Sequence, residues 1–242
     1  MHILLLGASI VVATLQSLFS RLYSDRYPRA TGMASALAYA VFYGAFIGLA
    51  TLALEGFAFA ASPATWILGV ANALVLSLYN LSLLQAGICG GYAALMISLL
   101  SGGILVPAVS NAVFLGQALG AAQLAGIALL LLAIVLMNLR GLSVAGQSRK
   151  FYLWCALLFL TNGLYSALLS AQAQLAAGAQ RGEMISITYL GSALACAALL
   201  FFRAPREFCP AFHMGGRAAL CALGGGVSAT IASNLLLFLM HA

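Results

Sequence analysis

YAALMISLLSGGILVPAVSNAVFL (Tyr92–Leu115), a joint of Gly116, Gln117 and Ala118, and LGAAQLAGIALLLLAIVLMNL (Leu119–Leu139) together decide how this chain folds. Each apolar run is near the ~20 residues that an α-helix needs to cross a hydrocarbon layer of ~30 Å. So short a joint predicts two antiparallel helices lying side by side. The first carries Ser98, Ser101, Gly102, Gly103, Pro107, Ser110 and Asn111, a face with hydrogen-bonding groups and close backbone access. The second is almost wholly Leu, Ile, Ala and Val, as a lipid-facing support would be.

The rest of the chain has the same character. Of its 242 residues 64% are hydrophobic and 6% charged, where a soluble domain carries about 25% charge. Such a chain cannot cover a water-facing surface, and its apolar runs recur along its whole length, which predicts a polytopic membrane protein. The formal charge of +6 comes from basic residues lying between the runs, so it reads as topology signals at the lipid headgroups and not as a nucleic-acid surface. Cys89, Cys155, Cys196, Cys209 and Cys221 are scattered, with no CxxC or Cys/His cluster, and read as small hydrophobes; no metal and no cofactor is expected. The apolar start at Ile3 has no small-residue cleavage site before Arg21 and reads as a retained first span.

Eight spans are expected: His2–Ser20, Thr31–Leu54, Ala64–Ala86, the opening pair, Phe151–Gln174, Met184–Phe202 and Arg217–His241. The fold class is all-α, a polytopic helical bundle, since no period-two alternation appears. The loops after spans one, five and seven hold Arg21, Arg26, Arg29, Arg140, Arg149, Lys150, Arg203, Arg206 and Arg217, against Arg181 alone on the other side. That bias places those loops in the cytoplasm and the chain in the cytoplasmic (inner) membrane, with both termini outside.

The chain also reads as a doubled unit. Residues 1–140 form a first five-helix repeat, 141–150 a flexible charged linker, and 151–242 a second repeat with three helices. Tyr79-Asn80-Leu81 falls on Ser233-Asn234-Leu235, and Leu15-Gln16-Ser17 on Leu164-Tyr165-Ser166. Matched loops carry opposite charge bias, as two copies inserted in opposite orientations would.

Ala93-Ala94-Leu95, Ser98-Leu99-Leu100, Val106-Pro107, Phe114-Leu115-Gly116-Gln117-Ala118-Leu119, Gln123-Leu124-Ala125-Gly126-Ile127 and Ala133-Ile134-Val135-Leu136 resemble the end of an EamA domain. That domain is the five-helix repeat of the drug/metabolite transporter superfamily. Its pattern there is a small-residue helix, a Pro-Val-like pair, a Gly-Glu turn and a Gln-x-x-Gly helix. The acidic turn residue of the family is Gln117 here, so no role for that charge carries over. The family usually has ten spans with cytoplasmic termini. The resemblance therefore implies a chain lacking the last two helices, either truncated, naturally short, or completed by a second copy or another subunit.

No Asp, Glu, Lys or Arg lies deep in a span; Glu55, Glu183 and Arg217 are at ends. Intramembrane carboxylates are the usual proton relays, so nothing here predicts one. What remains is neutral and polar. Asn72 and Tyr79 share a helical face with Asn80 beside them, and Asn162, Tyr165 and Ser166 follow i, i+3, i+4. The expected function is a secondary carrier of small organic metabolites or drugs working by alternating access. Gln16, Asn80, Ser98, Asn162, Tyr165 and Asn234 are the candidate lining, and Pro107 the hinge. Its partners would be a small-molecule solute and the bilayer, with no nucleic acid. The bland reading of each asparagine is a bridge between helices, which makes the alternative a non-transporting sensor or assembly subunit, or a truncated inactive transporter. A membrane enzyme would need an acid or base near the headgroups, where only Glu55 or Glu183 with His213 qualifies, so no enzyme is expected. Gly44-x3-Gly48 reads as a close-packing face, and Tyr23 and Tyr152 as interfacial belt residues.

Overall fold

Apolar runs long enough to cross a bilayer have to satisfy every backbone N–H and C=O internally, which selects helices. The computed structural model describes residues 8, 11–12, 14–16, 18–20, 22–23, 32–57, 59–90, 92–114, 116, 120–121, 124–129, 132, 148–175, 180–203, 205–212 and 216–241. Among them are seven helices and no strand: α1 (Gly32–Leu54), α2 (Pro63–Cys89), α3 (Tyr92–Phe114), α4 (Arg149–Leu175), α5 (Arg181–Arg203), α6 (Pro205–Phe212) and α7 (Gly216–His241). The described residues of the first expected span, 8 to 20, are also helical. Within the described residues, five helices are long and apolar enough to cross a membrane: Met33–Leu54, Pro63–Cys89, Ala94–Phe114, Arg149–Gln172 and Arg181–Arg203. Among the described residues the secondary structure is all helix, and the five apolar helices make the chain a multi-pass membrane protein. Most of the expected Leu119–Leu139 span, with Gln117, lies outside the described residues, as does most of the 141–150 linker.

Exposed surface carries the same message. On α2, Ile67, Val70, Leu74 and Leu78 recur at helical spacing and are 47–70% exposed. An aliphatic stripe of that length is costly in water and stable in lipid. The opposite side of α2 buries Gly69, Asn72, Ala73, Leu76 and Asn80.

Local chemistry sets the ends. Ser62 caps α2, its hydroxyl accepting from Thr65 N at 3.3 Å, and Pro63 opens the helix where no N–H is needed. Ser148 caps α4 in the same way, accepting from Phe151 N at 3.2 Å. Left-handed Gly56 (φ 65°) and Phe57 (φ 59°) end α1 with backbone bonds back to Ala53 and Leu52. Gly116, the first joint residue after α3, is also left-handed, at φ 62°.

The chain forms two compact units. Unit 1 is Met1–Ala61 with Gly182–Ala242, and unit 2 is Ser62–Arg181. These units differ from the repeats expected from the sequence. A repeat is a unit of insertion and a compact unit one of packing, so the two divisions need not coincide.

In unit 1, Ala34, Leu37, Ala38 and Ala40 of α1 pack with Cys196 and Leu200 of α5 and Ala211 of α6. Gly44-x3-Gly48 does pack closely: a Cβ on Gly44 would lie 2.8 Å from the Tyr189 carbonyl oxygen, and one on Gly48 2.6 Å from Leu190 Cγ. The short helix α6, absent from the sequence reading, seats Phe208 and Phe212 against Phe201 and Phe42. In unit 2, α4 is the central helix and packs along both α2 and α3. Phe151, Cys155 and Leu158 of α4 fill a core with Ala86 and Leu95. Higher up, Gly102 lies directly under the Phe159 carbonyl and Gly163 under Val106, so α3 and α4 run parallel in backbone-to-backbone contact. The partner of α3 across the linker is therefore α4. The sequence reading saw only the neighbour joined to α3 by the short turn.

Candidate functional site

The polar groups of unit 2 lie on three helices. Asn72 and Asn80 sit eight residues apart on the buried side of α2, at 0% and 2% exposure. Both amide atoms of Asn72 and the Nδ2 of Asn80 have no hydrogen-bond partner, and Ser101 Oγ and Asn111 Oδ1 on α3 are in the same state. A buried amide without a partner costs about 1–3 kcal/mol. On α4, Asn162 is engaged: its Nδ2 donates to the Leu99 carbonyl at 2.7 Å, and a Cβ on Gly103 would lie 2.6 Å from that nitrogen. Ser98 donates to Ala94 O at 3.1 Å and also reaches the Cys155 thiol. Tyr165 lies one turn beyond Asn162, within electrostatic reach of Arg181.

A latch closes one end of this unit. Gln180 Oε1 accepts from Ser62 N at 2.9 Å and from Thr65 Oγ1 at 2.8 Å, while Gln172 Nε2 donates to the Gln180 carbonyl at 3.2 Å. Gln172 is fully buried, and its Oε1 is unbonded. Nothing in hydropathy marks these residues, because the latch joins positions more than a hundred apart.

Unit 1 handles its polar groups differently. Gln16 Nε2 donates to Tyr43 Oη, Ser20 Oγ shares a hydrogen bond of 2.8 Å with Tyr39 Oη, and Tyr23 Oη donates to Ser35 O at 3.0 Å. The rings of Tyr23, Tyr39, Tyr43 and Tyr189 follow one another with centroids 4.6, 5.4 and 6.1 Å apart. Tyr23 is therefore a core residue at 1% exposure and not the interfacial belt residue expected from its place in the sequence; Tyr152, 46% exposed, fits that role. Gly224, Gly225 and Gly226 of α7 lie against Phe19, Tyr39 and Phe46, where a Cβ would come within 2.8, 3.1 and 2.8 Å. That glycine run is continuous helix that lets aromatic rings approach.

Of the six candidate lining residues, Asn80, Ser98, Asn162 and Tyr165 belong to unit 2, and Gln16 and Asn234 to unit 1. The structure brings Asn162 beside Leu99 and the neighbouring Ser98; the side chain of Asn234 lies outside the described residues. Pro107 is inside α3, next to the Val106 contact with Gly163. Asn72, which the sequence places on one face with Tyr79 but outside the six candidates, belongs with these residues on burial. No family model matches the chain, and neither a curated protein nor a solved structure matches it. Among the described residues no three His, Cys, Asp or Glu side chains come together as a metal site. Glu55, one of the two acids available to an enzyme reading, lies against Gly182 in the first turn of α5, where a carboxylate favours the helix dipole.

Proposed function

We propose that this chain is a secondary carrier of small, neutral or zwitterionic organic solutes, operating by alternating access. One observation carries the reading: Asn72 is completely buried on a membrane-spanning helix with its amide oxygen and nitrogen both unbonded. Lipid offers no hydrogen bonds and protein supplies none, which leaves a polar solute or its accompanying water as the partner. Asn80, Ser101 and Asn111 of the same unit also keep unbonded, uncharged polar atoms, and we assign them to the same lining, with Tyr165 as its aromatic member. Pro107 serves as the hinge of α3, since it leaves one backbone carbonyl without its intrahelical donor.

The proposal includes eight spans in the cytoplasmic membrane, built as inverted repeats of the EamA type, with the resemblance in Tyr92–Leu139 as its ground. Chain path supports the count. Because α3 runs parallel to α4, Phe114 and Arg149 lie at opposite ends of the helix pair, in keeping with one more span between them. The basic loops define the cytoplasmic side, which puts Ser148 inside and Ser62 outside; single cysteines at the two positions, labelled from each side, test this. Labelling of Ser148→Cys from outside alone would reverse the orientation.

A second reading, a sensor or assembly subunit whose asparagines join helices, has one observation in its favour. Asn162 uses its amide on the Leu99 carbonyl. Proteoliposome uptake across a panel of metabolites, with and without a pH gradient, separates the two. A carrier moves at least one solute faster than empty liposomes; a bundle joined only by asparagines moves none.

A further inference from the structure

The end of unit 2 where α2 stops and α4 starts holds an open pocket of about 540 Å³, lined by Gln85, Cys89, Arg149, Lys150, Leu153 and Trp154. None of these belongs to the Asn72 face. Arg149 and Lys150 are the first two residues of α4, where unsatisfied N–H groups and the helix dipole already favour negative charge. The four acids of the chain are Asp25, Glu55, Glu183 and Glu207, so Ser62–Arg181 contains no carboxylate side chain at all. Two exposed cations therefore line a cavity with nothing in their own unit to neutralise them. The pocket lies at the ends of the candidate spans Pro63–Cys89 and Arg149–Gln172, which places it at the depth of the lipid headgroups.

We propose that this pocket binds the phosphate of an anionic phospholipid headgroup. The Arg149 guanidinium offers a planar fork that matches phosphate oxygens, and Lys150 adds a mobile point charge. Gln85 and the Trp154 indole N–H supply neutral polar groups suited to a glycerol hydroxyl or ester carbonyl. Leu153, 64% exposed one turn into the helix, gives the acyl chain an apolar path out of the pocket. A soluble phosphate would use the cations but leave Leu153 and the Trp154 ring facing water. A zwitterionic headgroup carries its own cation, which Arg149 and Lys150 repel. Both features select an anionic lipid.

Native mass spectrometry of the full chain, delipidated and then offered phosphatidylglycerol or phosphatidylcholine, tests the assignment. Wild type is expected to retain phosphatidylglycerol preferentially. The Arg149→Gln/Lys150→Gln variant should retain it roughly 30-fold less, each basic residue near the surface contributing about fivefold. Arg203→Gln/Arg206→Gln removes the same charge from unit 1 and should leave retention unchanged. Gln85→Leu keeps both cations and should lose only a few-fold, which preserves a test if the double variant fails to fold. Equal retention of the two lipids, or an equal loss in the Arg203/Arg206 variant, overturns the proposal. Displacement of the lipid by millimolar inorganic phosphate also overturns it, and makes the pocket a soluble-phosphate site.

Discussion

Units 1 and 2 are both helical, both apolar outside, and both contain buried polar side chains, yet they treat those side chains in opposite ways. In unit 1 the polar atoms find one another: Gln16 with Tyr43, Ser20 with Tyr39, Tyr23 with the Ser35 carbonyl. Ser186 Oγ is the one described exception there. In unit 2, Asn72, Asn80, Ser101, Asn111 and Gln172 keep atoms without partners. A closed network rigidifies, while open valences in a low-dielectric interior are costly unless something else fills them. On the proposed reading, the binding face is marked by the open polar atoms of unit 2 and not by membrane polarity as such.

The largest expected effect attacks the frame that holds the open side. Gly102→Leu places a side chain against the Phe159 carbonyl and forces α3 off α4. Backbone cannot yield as a side chain does, so a loss of about 3 kcal/mol or more is expected, seen as a collapsed thermal transition and aggregated protein in detergent. Gly225→Ala in unit 1 meets the Tyr39 hydroxyl at 3.1 Å, a contact that can shift, and should be clearly milder in the same measurement.

Next comes the closed network. Tyr39→Phe removes the Ser20–Tyr39 hydrogen bond, leaving Ser20 only its bond to the Gln16 carbonyl at 3.0 Å, and should cost about 1 kcal/mol, lowering the thermal midpoint while solute uptake in proteoliposomes stays at the wild-type rate. Smaller again is Asn162→Ala, which removes one bond to the Leu99 carbonyl. Interhelical hydrogen bonds in membranes average about 0.6 kcal/mol, so a slight drop in midpoint is expected. A change in midpoint larger than that of Tyr39→Phe would make Asn162 the main fastener of unit 2.

Much of the fold was legible in the sequence because hydrophobic length is a one-dimensional signal. The expected Thr31–Leu54 corresponds to Gly32–Leu54 and Ala64–Ala86 to Pro63–Cys89, where capping by Ser62 and Pro63 explains the start of the second helix. What hydropathy could not carry was partnership. That α3 packs on α4 follows from Gly102, Gly103 and Gly163 meeting across 60 residues, and the α6 contact depends on two phenylalanines finding Phe42 and Phe201. The site was half legible for the same reason. Asn80 and Ser98 were visible as polar residues in apolar spans, but whether an amide is spent, as in Asn162, or open, as in Asn72, depends on a neighbour distant in sequence. Tyr23 shows the same limit: its place near a basic loop suggested a headgroup anchor, and a carbonyl on α1 holds it in the core instead.

Asn72→Leu tests the central claim most directly, read by thermal unfolding and proteoliposome uptake on the same preparation. Leucine fills about the same volume and removes two unbonded polar atoms. The midpoint should therefore stay level or rise, by the equivalent of up to about 1 kcal/mol, while uptake of the transported solute is lost. A lowered midpoint with uptake at the wild-type rate would contradict the account, because it would make Asn72 a structural bridge and unit 2 as closed as unit 1.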